Sequence, residues 1–263
     1  MTESGGGSVP VTEVDDGSRS EAEYELEEHD LRAGLDGLGR LGSVRLPLSE
    51  LLDRVAGFAT KAIPGADGAG LTLLEEGRGR TVVASVPFVA AIEEVQYELG
   101  EGPCLTAAVE ARTVVSGSLG ADPRWRRFGG RVARMGVHSA LSLPLITPDG
   151  VIGAINVYSF GKGAFDRRAA EVGELYAVPA AIAVQNAQAL EQAQRLALQL
   201  TTTLEDRLMI ERAVGIVMSR SGVDQAEALR RLRTLSQHEH QKLVEVARTL
   251  VDEAVRRARS QHG

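Results

Sequence analysis

Cysteine occurs once in this chain of 263 residues, at position 104, so no disulfide can form within one molecule. No Cys/His cluster has the spacing of zinc ligands. No apolar run reaches the roughly 18 residues of a membrane-spanning helix, and the N-terminus lacks the pattern of a signal peptide, so a cytoplasmic location is expected. Catalytic signatures are also missing. There is no Walker-type phosphate loop, no paired carboxylates on an evident catalytic loop and no Ser-His-Asp context, so an enzyme is not expected. Positive charge is in deficit: 29 Lys and Arg stand against 36 Asp and Glu, and a net charge of -7 argues against nonspecific nucleic-acid binding by the whole surface.

What is present is ordinary for a soluble protein, with 43% hydrophobic and 25% charged residues, and the length suits one large or two small domains with tails. The charge is unevenly placed. Residues 1–43 hold 11 acidic and 3 basic residues, giving -8, whereas residues 201–263 hold 9 and 11, giving +2. The first segment opens on Ser4-Gly5-Gly6-Gly7-Ser8 and passes into an acidic run from Glu21 to Asp30. Such a composition buries too little to offset the entropy of ordering it, so residues 1–43 are expected to form a mostly disordered, solubilising tail. Leu26, Leu31, Leu35 and Leu38 allow a marginal helix, which Gly34, Gly37, Gly39 and Gly42 weaken.

From residue 44 to about 185 the pattern changes. Leu48, Leu51, Leu52, Val55 and Phe58 predict a helix. Residues 69–74 and 81–86 read as strands about a Glu-Gly-Arg-Gly turn, and residues 139–146 and 151–158 form a second hairpin about Thr147-Pro148-Asp149-Gly150. Between the hairpins lie Phe88–Tyr97, Gly102–Glu110, a strand at Val114–Leu119 and a helix near Arg124–Met135. This order predicts an α+β domain, an antiparallel sheet with helices on its faces.

A long helix follows. Ile182, Asn186, Ala189, Ala193, Leu196 and Leu200 recur at spacings of four and three, the seam of a coiled coil, with Leu204 one residue beyond strict register. Residues 186–200 therefore read as a linker helix, with a kink at Pro179. A homodimer through residues 180–205 is expected, the alternative being a single helix packed on its own sheet. Residues 201–256 predict three short helices. The first turns Leu204, Leu208, Val214 and Val217 or Met218 inward. The second is capped by Asp224 with Glu227 reaching back, and buries Ala228, Leu229, Leu232 and Leu235. The third is announced by Ser236 and Glu239 and carries Leu243, Val246, Ala247, Leu250 and Val251. Residues 257–263 are a short basic tail.

Two families share these motifs. Arg207-x-x-Ile210-x-x-Ala213-x-Gly215-Ile216-x-Met218, Ala226-x-Ala228-Leu229-x-x-Leu232-Arg233, Ser236-Gln237 and Lys242-Leu243-x-x-Val246-Ala247 together resemble the ANTAR module of bacterial transcription antiterminators. Val214 stands where many members carry Lys, and His240 where many carry Asn. Residues 65–71, Gly100-Glu101-Gly102-Pro103-Cys104, Asp122-Pro123-Arg124-Trp125 and Val151–Val157 resemble a GAF domain. The pair implies an actinobacterial-type antitermination regulator that binds structured hairpin RNA, without the phosphoacceptor receiver of other ANTAR proteins. Arg207, Ala213, Gly215, Arg233, Ser236, His240 and Lys242 are the candidate RNA-binding residues. Arg207, Arg233 and Lys242 would supply charge, and Ser236 and His240 would read base edges. Ala213 and Gly215 would admit a base or else pack helices. The alternative is a signalling module whose helical tail docks a protein.

The GAF resemblance implies a small-molecule pocket between sheet and helical insertion, but the motif of cyclic-nucleotide-binding members is not reproduced and no cofactor is named. Cys104, Trp125 and Phe128 are the candidate lining residues. Cys104, at a helix start, is either a thiolate of lowered pKa or a small apolar lining residue. Trp125 and Phe128 are core aromatics or stacking platforms, and His138 is a structural residue or a haem ligand.

Overall fold

The computed structural model describes residues 20–41, 46–75 and 78–260. The chain divides into two compact units between Glu191 and Gln192.

The first unit is built on an antiparallel sheet of order β2-β1-β5-β4-β3, comprising β1 (Gly68–Glu75), β2 (Arg78–Ala84), β3 (Val114–Ser116), β4 (Ser139–Thr147) and β5 (Gly150–Ser159). Both predicted hairpins form, and β1 pairs with β5 to join them. Strand alternation gives the two faces different characters. Leu71, Leu73, Leu141, Leu143, Leu145, Ile155 and Val157 enter one apolar cluster with α2 (Leu48–Ala62) and the start of α6 (Arg167–Ser221). On that face the Tyr176 hydroxyl donates to the Val55 carbonyl at 2.8 Å. The other face carries Thr72, Ser142, Asn156 and Tyr158, all buried. The insertion α3 (Pro87–Leu99), α4 (Pro103–Glu110) and α5 (Arg126–Arg134) supplies the residues that pack there.

The acidic segment corrects the sequence expectation within residues 21–41. It forms a helix, α1 (Glu21–Leu41), that buries Leu31, Leu38 and Leu41 against α2. A reciprocal cap starts it: the Ser20 amide donates to Glu23 at 2.7 Å and the Glu23 amide to the Ser20 hydroxyl at 3.4 Å. The glycines counted against this helix are what lets it close on its neighbour. A Cβ at Gly37 would lie 2.7 Å from the Phe58 ring, and one at Gly34 would lie 3.0 Å from the Ala62 methyl. Tertiary contact outweighs the propensity cost of about 1 kcal/mol per glycine. The rest of the expected tail, residues 1–19 and 42–43, lies outside the described residues.

Helix α6 is 55 residues long and runs on through Pro179. Its last turns enter the second unit with α7 (Gln225–His238) and α8 (Leu243–Ser260). Ala213, Val214, Ala228, Leu232, Val246 and Ala247 form the buried core of these three helices, and Ile210, Val217, Leu229, Leu243 and Leu250 pack around it. Several expected inward residues instead face solvent. Leu204 is 60% exposed, Leu208 53% and Leu235 42%, because the core face of α6 is the one centred on Ala213 and Val217. Asp224 caps α7, accepting from the Glu227 amide at 2.8 Å. The return half of that cap does not form, since Glu227 is drawn to Arg230 and Arg231. Ser236 and Glu239 do not start the third helix either. They end α7, and α8 begins only at Leu243.

Candidate functional sites

The seven candidate RNA contacts separate by environment. Ala213 is fully buried among the three helices, so it packs them and is removed from the RNA surface. Gly215, two residues on, is exposed, and a Cβ there would meet nothing within 4 Å. Arg207 is exposed but tied to Glu211 at 2.9 Å. Ser236, His240 and Lys242 come together at the turn between α7 and α8. The Ser236 hydroxyl donates to the Gln241 carbonyl at 2.7 Å, so its proton holds the turn and only its lone pairs remain for a ligand. His240 has φ +53°, a left-handed conformation that asparagine tolerates better than most residues. The backbone therefore accounts for the family's Asn at this position without any base contact. Lys242 heads α8, its carbonyl accepting from the amides of Glu245 and Val246.

Charge pairing also sorts the arginines. Glu227 takes both Arg230 and Arg231, at 2.5 and 2.8 Å, which makes them intrahelical partners of a carboxylate. Their demand holds the Glu227 carboxyl below the usual range. Among the described residues, Arg233 and Lys242 have no such carboxylate partner.

The first unit holds a second cluster, most of which the sequence pattern did not reveal. Glu93 projects from α3 into the polar face of the sheet and is fully buried. One of its oxygens accepts from the Asn156 amide at 2.8 Å and from the Tyr158 hydroxyl at 3.0 Å, and the other accepts from Gln96 at 3.3 Å. Thr72 and Tyr97 share a hydrogen bond of 2.7 Å beside it. Asn156 stands opposite Ser142 across β4 and β5, and both Asn156 Oδ1 and Ser142 Oγ are buried without a hydrogen-bond partner. The available signal was Glu93 and Gln96 falling on the buried stripe of α3 with Val89 and Ile92, where a carboxylate needs partners.

Cys104 sits at the edge of this cluster, 1% exposed, with its amide donating to Gln96 Oε1 at 3.1 Å. Burial, reinforced by the nearby charge of Glu93, pushes its thiol up to about 12, which favours the small buried residue over the thiolate of lowered pKa. The thiol stays protonated at neutral pH. In the folded chain Cys104 should therefore resist thiol-directed disulfide reagents at pH 8 and react promptly once urea unfolds it. Prompt labelling of the folded protein would refute this.

Trp125 and Phe128 belong to the apolar core of the insertion and are not free stacking surfaces. The Trp125 indole donates to Thr106 at 3.0 Å, while the Arg124 guanidinium lies 4.2 Å over its ring. Glu101 caps α5 by accepting from the amides of Arg127 and Phe128, both at 2.8 Å. Gly102 leaves room for Gln96, since a Cβ there would lie 2.2 Å from Gln96 Oε1. The Gly-Glu-Gly-Pro-Cys run is thus largely explained by packing and capping. His138 has no companions for a metal: among the described residues no group of three His, Cys, Asp or Glu could hold an ion.

Residues 46–185 match the GAF domain model, more than half of the chain, and the protein belongs to that family. Residues 198–251 match the ANTAR domain model, so a GAF domain is followed by an ANTAR domain. Both are regulatory domains. No curated protein matches the chain. Similar solved structures include the GAF domain of an Acinetobacter phosphoenolpyruvate-protein phosphotransferase, at 16% identity and TM-score 0.48, covering 64% of this chain and 98% of that one. The corresponding Coxiella burnetii domain shows 15% identity and TM-score 0.49, with 62% and 98% covered. The substrate complex of free methionine-R-sulfoxide reductase from Neisseria meningitidis shows 19% identity and TM-score 0.48, with 66% and 96% covered. No described helix is long and apolar enough to cross a membrane.

Proposed function

We propose that this chain is an RNA-binding transcription antitermination regulator, acting in the cytoplasm, whose ANTAR domain binds hairpin RNA under control of its GAF domain. The observation that carries this reading is the ANTAR match over residues 198–251 together with the exposed turn where His240 and Lys242 stand. Arg233, Lys242 and Arg207 hold phosphates, and Gly215 lets the RNA backbone approach. The GAF domain senses a small polar molecule at the Glu93 cluster, where Asn156 Oδ1 accepts from it and Ser142 Oγ accepts from or donates to it.

The regulator works as a homodimer through residues 180–205. Ile182, Leu196, Leu200 and Leu204 are each more than half exposed at coiled-coil spacing, and a second helix would cover them. A gel shift of the full chain tests the RNA reading. Hairpins with unpaired loops should bind with salt-sensitive affinity, well ahead of a plain duplex of equal length. Equal affinity for both, or none for either, would favour the protein-docking alternative, to which the exposed Leu198 and Leu208 would then belong.

A further inference from the structure

Beside the start of α6, within the first unit, lies an open groove of about 260 Å3. Leu143, Pro144 and Ala177 line it, and Ile146 and Val178 stand on it 51% and 64% exposed. Leu175, Val178 and Ile182, at spacings of three and four, make one bare apolar stripe along α6, with Leu175 57% and Ile182 55% exposed. That stripe runs into the coiled-coil seam, which itself begins at Ile182. Apolar surface this continuous is rarely left uncovered on a monomer.

We propose that the groove receives a second copy of this chain, extending the dimer from the helix seam onto the sensor unit. The inference rests on the homodimer reading and specifies a surface that the seam does not include. Size is one argument. A stable interface takes about 20–30 residues from each side, whereas residues 180–205 are 26 in all and only the face along the seam can meet a partner helix. Charge is the other. The groove carries one cation and one anion, Arg112 and Glu174, both exposed. A twofold interface places residue i of one copy on residue j of the other and the reverse. A patch holding both signs is therefore complementary to itself: Arg112 of each copy meets Glu174 of the other, forming two identical pairs. Arg112 already leans on Glu110 in its own chain and would share its guanidinium between the two carboxylates.

The test is a charge swap in the full-length protein, read as the dimer dissociation constant by sedimentation. Arg112→Glu opposes two carboxylates across the axis, and Glu174→Arg opposes two guanidinium groups. Each alone should weaken dimerisation about tenfold, and the double variant should return most of the loss. Trp125 fluorescence checks that all three variants remain folded. Single variants that dimerise like the wild type would remove the groove from the interface, as would a double variant no better than the singles. Leu200→Asp separates this outcome from failure of the underlying reading. A wild type that is monomeric at every concentration, or Leu200→Asp dimerising normally, overturns the seam itself. A monomeric Leu200→Asp beside unaffected charge variants overturns only the groove.

Discussion

Replacing Glu93 with alanine should destabilise the GAF domain by about 3 kcal/mol or more, the cost of leaving the partners of a buried charged group unpaired. The Asn156 amide and the Tyr158 hydroxyl would lose their shared acceptor, and Gln96 would lose its own, in a region where no water-exposed conformation is at hand. Tyr158 cannot compensate by ionising. Burial, with the charge of Glu93 second, holds its phenol well above the ordinary value. Glu93→Gln should cost less, because it keeps the shape and one acceptor while turning a second donor toward groups that already donate. The single tryptophan, Trp125, lies in this unit, so urea unfolding followed by its fluorescence reports the effect separately from the ANTAR domain. An unchanged midpoint in Glu93→Ala would show that the cluster contributes nothing to holding sheet and insertion together.

The second large effect concerns RNA. The variant Arg207→Ala/Arg233→Ala/Lys242→Ala should lower hairpin affinity about 100-fold at moderate salt. It should also flatten the dependence of log affinity on log salt by roughly 2, since each lost phosphate contact removes about 0.7–0.9 of the slope. Arg233 and Lys242 should account for most of the loss, because Arg207 must first leave Glu211. His240→Gly belongs in the same experiment. Glycine adopts φ +53° without strain, so it should stabilise the turn by about 1 kcal/mol. If His240 serves only the backbone, loop discrimination will survive; if it reads a base, discrimination will fall. Wild-type affinity and slope in a folded triple variant would remove the three cations from the interface.

Local pattern was enough to find the sheet, both hairpins and the three C-terminal helices, because period-2 and period-3.6 repeats record which side faces a core. Partners distant in sequence were not legible that way. Gly34 and Gly37 lower helix propensity in isolation, yet they are the contact points of α1 on Phe58 and Ala62, and nothing near them in sequence announces those residues. Leu204 and Leu208 fit a helical stripe, but whether a stripe faces its own core or solvent depends on where α7 and α8 land. A helix start speaks for a lowered pKa at Cys104, whereas desolvation and Glu93, 11 positions earlier, raise it. Ala213 and Gly215 were treated alike as small residues, and two positions of helix rotation put one in the core and the other in the open.

The pairing of arginines with glutamates in the three C-terminal helices bears on how quickly the proposed regulator would find RNA. Arg207, Arg248 and Arg257 each face a carboxylate on their own helix, and Arg230 and Arg231 share that of Glu227. From a distance such pairs look like dipoles, and their field dies away within the screening length of about 8 Å at physiological salt. Little long-range attraction is left to guide a transcript inward. Under the proposed function, encounter would be governed by diffusion and orientation, in the unsteered range of about 10⁵–10⁶ M⁻¹s⁻¹, and ionic strength would act mainly on how long the complex lasts.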